Sequence, residues 1–140
     1  MNKSDAHSVD EYLATLPEDR RATIAAAYVD GDARPLDEIL AREDPATFFS
    51  PRGDAITGAA AVAARYDADA ASFSRGGNNR LEILQSAASG EVGWWTGYQI
   101  AEARLKGKDA PVPMKLRVTE AFRFSDGDWR LVHRHAELAK

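Results

Sequence analysis

Three groups of side chains in the second half of this chain have the types and spacing to do chemistry. The first is a carboxyl, Glu120, on a strand pattern whose same-face neighbours are Leu116, Val118 and Phe122. A carboxyl buried among such residues has its pKa raised and can serve as a general acid or base. Arg134, on the strand that follows, offers the opposite outcome, because a guanidinium stays charged and grips a carboxylate through its planar fork. The second group is His133 and His135. An H-x-H pair on a strand projects from one face. It can hold a metal if a third ligand arrives, carry protons near neutral pH, or form a polar patch outside a sheet. Spacing specifies neither Glu120 nor Glu137 as that third ligand, and His7 lies in a polar terminal stretch, so no metal is expected. The third group is aromatic: Trp94, Trp95 and Tyr98 on one long strand. Adjacent tryptophans must face opposite ways. One set can stack on a flat ligand, with Tyr98 donating a hydrogen bond, while an outward tryptophan implies a covered sheet face and hence a dimer. Trp95 reads as core rather than ligand contact, and Tyr28 and Tyr66, on helices, read as packing.

These groups need a sheet to hold them, and the sequence supplies one late. Residues 1–7 read as a flexible tail. Ser8 and Glu11 form a capping box before a short apolar stripe, and Pro17 suits the first turn of a helix running to Val29, with Gly31 as its C-terminal cap. A short helix follows over 36–41. Residues 47–50 and 56–57 read as short strands, Thr57 as a cap for an Ala-rich helix over 58–73, and 74–79, with Gly76-Gly77, as a loop. Four strand patterns complete the chain, near 80–85, 92–105, 114–124 and 129–136, the last two joined by a tight Asp126-Gly127 turn. Helices followed by consecutive hairpins predict an α+β layer fold rather than a doubly wound one. The 140 residues fit a single domain with no internal repeat.

Composition excludes more than it selects. With no cysteine, the chain has no disulfide, thiolate catalyst, iron–sulfur cluster or cysteine-bound zinc. A formal net charge of −4 with basic residues scattered among acids predicts neither nucleic acid nor an anionic membrane as partner. No apolar run approaches the ~20 residues of a membrane span. The polar N-terminus lacks the apolar core of a secretory signal, so a cytoplasmic setting is expected.

Particular words in this order carry a family resemblance over nearly the whole chain. They are Gly31-Asp32, Asp44-Pro45-Ala46-Thr47-Phe48-Phe49, Ile56-Thr57-Gly58, and the hairpin from Arg117 through Phe124 and Trp129 to Ala136. The chain resembles the NTF2-like superfamily, in particular its SnoaL-like and ketosteroid-isomerase-like members, and its final hairpin also resembles the association domain of the calmodulin-dependent kinases. The resemblance implies a cone in which a strongly curved, mostly antiparallel sheet wraps about three to four helices and encloses a pocket. It implies that Val118, Glu120 and Phe122, Val132, Arg134 and Ala136, and Trp94, Thr96 and Tyr98 face inward. Local pattern on the last strand instead groups Trp129 and Leu131 with His133 and His135, and one β-bulge converts either parity into the other.

The same resemblance limits the chemistry. Ketosteroid isomerases need a carboxylate base, a tyrosine and a protonated acid. Ser50 stands at the base position, Ile24 near the tyrosine position, and Glu120 alone retains a carboxyl, so that mechanism is not carried over. In the kinase association domain arginines line the pocket; Thr96, Glu120 and Ala136 stand at the corresponding positions. The expected function is binding of a small, partly apolar molecule, with Trp94, Thr96, Phe122, Val132, His133, His135 and Ser50 as contacts. Any catalysis would be cofactor-free isomerase- or cyclase-like proton transfer on a carbonyl compound, using Glu120, Arg134 and Tyr98. The alternatives are a non-catalytic oligomerisation or ligand-sensing module and a transport-factor-like protein-binding module. A homodimer through the sheet is expected.

Overall fold

The computed structural model describes residues 20–125 and 127–139. The 1–7 tail, the Ser8 capping box and the Pro17 helix start lie outside the described residues. Within them the order is α1 (Arg21–Val29), α2 (Arg34–Ile39), β1 (Thr47–Phe49), β2 (Ala55–Thr57), α3 (Ala59–Ala70), then β3 (Phe73–Ser89), β4 (Val92–Leu105), β5 (Val112–Ser125) and β6 (Asp128–Leu138). The six strands form one sheet in the order β2-β1-β6-β5-β4-β3. All neighbours are antiparallel except β1 and β6, which run parallel. This is the expected α+β cone, curled but open at both edges. No helix among the described residues is long and apolar enough to cross a membrane.

Helix α1 ends where its sequence says it should: Gly31 sits just beyond the last turn at φ 94°, a conformation glycine takes without steric cost. Two local expectations are corrected. Thr57 does not cap α3; the exposed α3 amide of Ala59 instead donates to Asp44 Oδ1 at 2.7 Å, from the segment before β1. Residues 74–79 are not a free loop but part of β3, whose pairing with β4 skips from Ser74↔Arg104 to Asn78↔Glu102. The extra residues bulge out, and the Gly76 amide is tied to Asp30 Oδ1 at 2.7 Å. Gly77 is required there, since a Cβ would lie 2.8 Å from Glu102 O and 3.0 Å from Val29 Cγ1.

Two more bulges bend the sheet. Leu84 is the extra residue between Ile83↔Gly97 and Gln85↔Thr96, and it points to solvent. Val132 is the extra residue between Ala121↔His133 and Phe122↔Leu131. A bulge re-aims every side chain beyond it. So Trp129 and Leu131 face the core before Val132, and Arg134 and Ala136 face it after. Both sequence readings of this strand hold, each for half of it. The main core joins Ile24, Leu36, Ile39, Phe48, Val62 and Tyr66 to Trp95, Val118, Phe122, Trp129 and Leu131 of the sheet.

Candidate functional site

The concave face of the sheet carries one continuous row. Trp95 on β4 pairs with Glu120 on β5, Glu120 with Arg134 on β6, and Arg134 with Phe48 on β1. Directly paired residues share a face of the sheet, so the inward set on β4 is Gly93, Trp95, Gly97 and Gln99, all buried. This corrects the expectation for Trp94, Thr96 and Tyr98. They lie on the convex face, where Thr96 bonds Val118 O and the Thr119 hydroxyl, and Lys115 Nζ sits 4.6 Å from the Tyr98 ring centre. The inward assignment of β4 fails because it requires Trp94, Thr96 or Tyr98 opposite Glu120, whereas the register puts Trp95 there. Trp95 is core, as expected, and also a polar contact.

Glu120 is completely buried. Its Oε1 accepts from Arg21 Nε at 2.7 Å and Trp95 Nε1 at 2.9 Å. Its Oε2 accepts from Arg21 Nη2 at 2.9 Å and Arg134 Nη1 at 2.8 Å. Burial alone would push this carboxyl up, but the adjacent Arg21 and Arg134 charges and their hydrogen bonds outweigh it and hold the pKa at about 2. Arg134 is fixed in turn, its Nη2 donating to Gln99 Oε1 at 2.6 Å, and Gln99 Nε2 donates to Asn79 Oδ1 at 2.8 Å. The arginine-held alternative for Glu120 therefore describes the geometry, and the raised-pKa acid does not.

Beside this cluster lies a cavity of about 310 Å³ between α1, α3 and the sheet. Its apolar wall includes Ala25, Val29, Leu36, Phe48 and Leu116, with Leu105, Met114 and Leu138 also contributing. Arg21, Arg134, Gln99 and Tyr66 supply polar groups. Near Pro51 and Arg52, Arg65 spans from the β1–β2 turn to α3, bonding Asp54 at 2.7 Å and Asp69 at 3.1 Å. Ser50 donates to Asp54 and accepts from the Arg52 amide, so it braces the turn next to the cavity without lining it.

The remaining expected contacts disperse. Phe122 is core, one row from the cluster. Val132, at the bulge, faces a separate small groove with Arg42, Arg123 and Arg130. His133 and His135 are on the convex face, and Phe49 packs edge-on against both. His133 Nδ1 lies 2.6 Å from the Thr47 hydroxyl, and its pKa is lowered first by desolvation and then by His135. Among the described residues no cluster of three metal-ligating side chains forms. Arg21 went unrecognised in the sequence, although Arg21, Ile24, Ala25 and Tyr28 fall at the i, i+3, i+4, i+7 spacing of one helix face. An arginine on an apolar stripe is the signal that marks it.

An open curled sheet closed over helices, with a cavity on its concave face, defines the NTF2-like class of α+β domains. The sequence model of the SnoaL-like domain matches residues 19–138, and the chain belongs to that family. Solved structures with the same fold include an NTF2-like superfamily protein from Salmonella enterica serovar Typhimurium (TM-score 0.73, 16% identity, 96% of this chain and 93% of that one). A hub homology domain of the calmodulin-dependent kinase II type from Chlamydomonas reinhardtii matches at TM-score 0.65 and 20% identity, over 95% of this chain and 99% of that one. A candidate scytalone dehydratase from Novosphingobium aromaticivorans matches at TM-score 0.72 and 14% identity, over 94% and 88%. At such identities the likeness concerns the fold alone. Comparison with curated protein sequences finds no match.

Proposed function

We propose that this protein binds a small, at least partly apolar molecule in the cavity between its helices and its sheet, and that Glu120 takes no part in proton transfer. The observation that carries this reading is the cavity itself, about 310 Å³ with a mostly apolar wall, beside a carboxylate whose two oxygens are already occupied by four donors. That size lies at the lower end of small-molecule pockets. Isomerase- or cyclase-type chemistry would need an acid or base facing the ligand, and Glu120 does not line the cavity. Arg134 remains as a contact, while Tyr98 belongs to the other face. A cytoplasmic setting belongs to the same reading. A ligand-observed NMR screen of compact aromatic and aliphatic compounds is expected to yield binders. Ala25→Phe, which puts a ring into the cavity from α1, is expected to weaken them at least about tenfold with the circular dichroism spectrum intact. Binders indifferent to Ala25→Phe would sink the reading.

A homodimer through the convex face accompanies it. Phe49, 40% exposed, stands with His133, His135, Trp94 and Tyr98 on that face, and a patch of this kind is usually covered. Sedimentation equilibrium should give twice the chain mass for the native protein and the single mass for Trp94→Glu. A monomeric native protein at micromolar concentration would overturn the dimer.

A further inference from the structure

Two buried donors, on residues that line the cavity, have no hydrogen-bond partner among the described residues. Arg21 Nη1 is out of contact with solvent and unbonded, although Nε and Nη2 of the same guanidinium are both committed to Glu120. The Tyr66 hydroxyl is also buried and unbonded, on a residue 2% exposed whose ring stacks on Phe48 at 4.6 Å. Both residues line the cavity. A buried donor without an acceptor costs on the order of 1–3 kcal/mol, and more when charged, so two on residues that line one cavity call for an acceptor brought from outside.

The charge balance points the same way. Among the described residues Arg21 and Arg134 share a single carboxylate, Glu120, which leaves one positive charge in the buried cluster without a described counter-charge. Four arginines among the described residues line the cavity against one acid, Asp69, and Arg65 holds that acid. Tyr66 stays a neutral donor, because burial pushes its pKa up.

We propose that the cavity takes a small organic acid head-first, its carboxylate on Arg21 Nη1 and the Tyr66 hydroxyl and its apolar body against Val29, Leu36, Phe48 and Leu116. This deepens the small-molecule reading and rests on it. Two oxygens of one planar anion meet two donors of different kinds, a charged guanidinium and a neutral phenol. An alcohol or amide of the same shape would leave the cluster's extra positive charge unanswered. The residues that do this come from α1 and α3, not from the sheet positions at which Thr96, Glu120 and Ala136 stand.

The test is titration calorimetry at pH 7 with matched pairs: phenylacetate, 3-phenylpropanoate and hexanoate, each against its primary amide. The expected result is that at least one acid binds ten times or more tightly than its amide, and that Tyr66→Phe, which removes only the hydroxyl, cuts this preference several-fold. Arg21→Met should abolish the preference; if it does not fold, Tyr66→Phe still decides. Equal binding of acid and amide would overturn the proposal while leaving the small-molecule reading intact. An acid preference untouched by Tyr66→Phe would also overturn it, by placing the head elsewhere. Failure of every acid and every amide to bind would remove both.

Discussion

Glu120→Gln is expected to destabilise the protein by about 3–5 kcal/mol, the range for removing one partner of a buried ion pair. The loss is not one hydrogen bond. Two buried guanidiniums, Arg21 and Arg134, would be left beside a neutral amide that also donates. Arg21→Met should cost less, because Arg134 still answers the Glu120 charge. Urea denaturation of the three proteins at pH 7 checks the order. A Glu120→Gln variant within about 1 kcal/mol of native would mean that the cluster holds nothing together. The same carboxylate sets a pH dependence. Its folded pKa, about 2, lies below its unfolded value near 4.3. The native state therefore binds the proton less readily, and the contribution is fully present above pH ~4.5 and lost as pH falls towards ~2. A shift of this size corresponds to about 3 kcal/mol. Stability of the native protein should fall across that window, and Glu120→Gln should lack this share of the fall.

Gly97→Ala is expected to cost about 3 kcal/mol, at the upper end for overpacking. A Cβ at this position would collide with the Glu82 carbonyl oxygen and stand 3.1 Å from Ile83 Cα. The obstacle is backbone, so no side chain can swing away. β3 would have to lift from β4 beside the Leu84 bulge, in a strand pair that curves the sheet around the cavity. Urea denaturation gives the size, and faster amide exchange along residues 80–86 should locate the damage. An alanine variant as stable as native would show that the two strands do not approach so closely. Glycine is thus needed at residue 97 for space alone, whereas Gly31 is needed both for its dihedral and for space, since a Cβ there would lie 2.9 Å from Phe73 O.

The element order was legible because it rests on local signals. Strand patterns marked β4 and β5, a glycine at residue 127 separated the last two strands, and Gly31 closed α1. The Gly76-Gly77 stretch misled because glycine pairs mark loops and bulges alike; only the partner strand decides between them. The facing of the last strand was split by Val132, whose extra residue no local pattern announces. The facing of β4 was set by register. Trp94 and Trp95 are equally good inward residues by composition, and the pairing of Trp95 with Glu120 chose one.

Glu120 illustrates the division best. The sequence by itself placed that carboxyl on an apolar strand face with Arg134 one strand away, because alternation and hairpin order are properties of neighbouring residues. It left the sign of the carboxyl's pKa open, since burial and an arginine act in opposite directions. Tertiary structure decided it by bringing Arg21 across 99 positions of sequence to the same two oxygens. A contact of that range depends on how a helix packs over a curved sheet, which no local pattern encodes. The second guanidinium turns a possible acid into a held anion, and one of its own donors stays unbonded among the described residues beside a cavity.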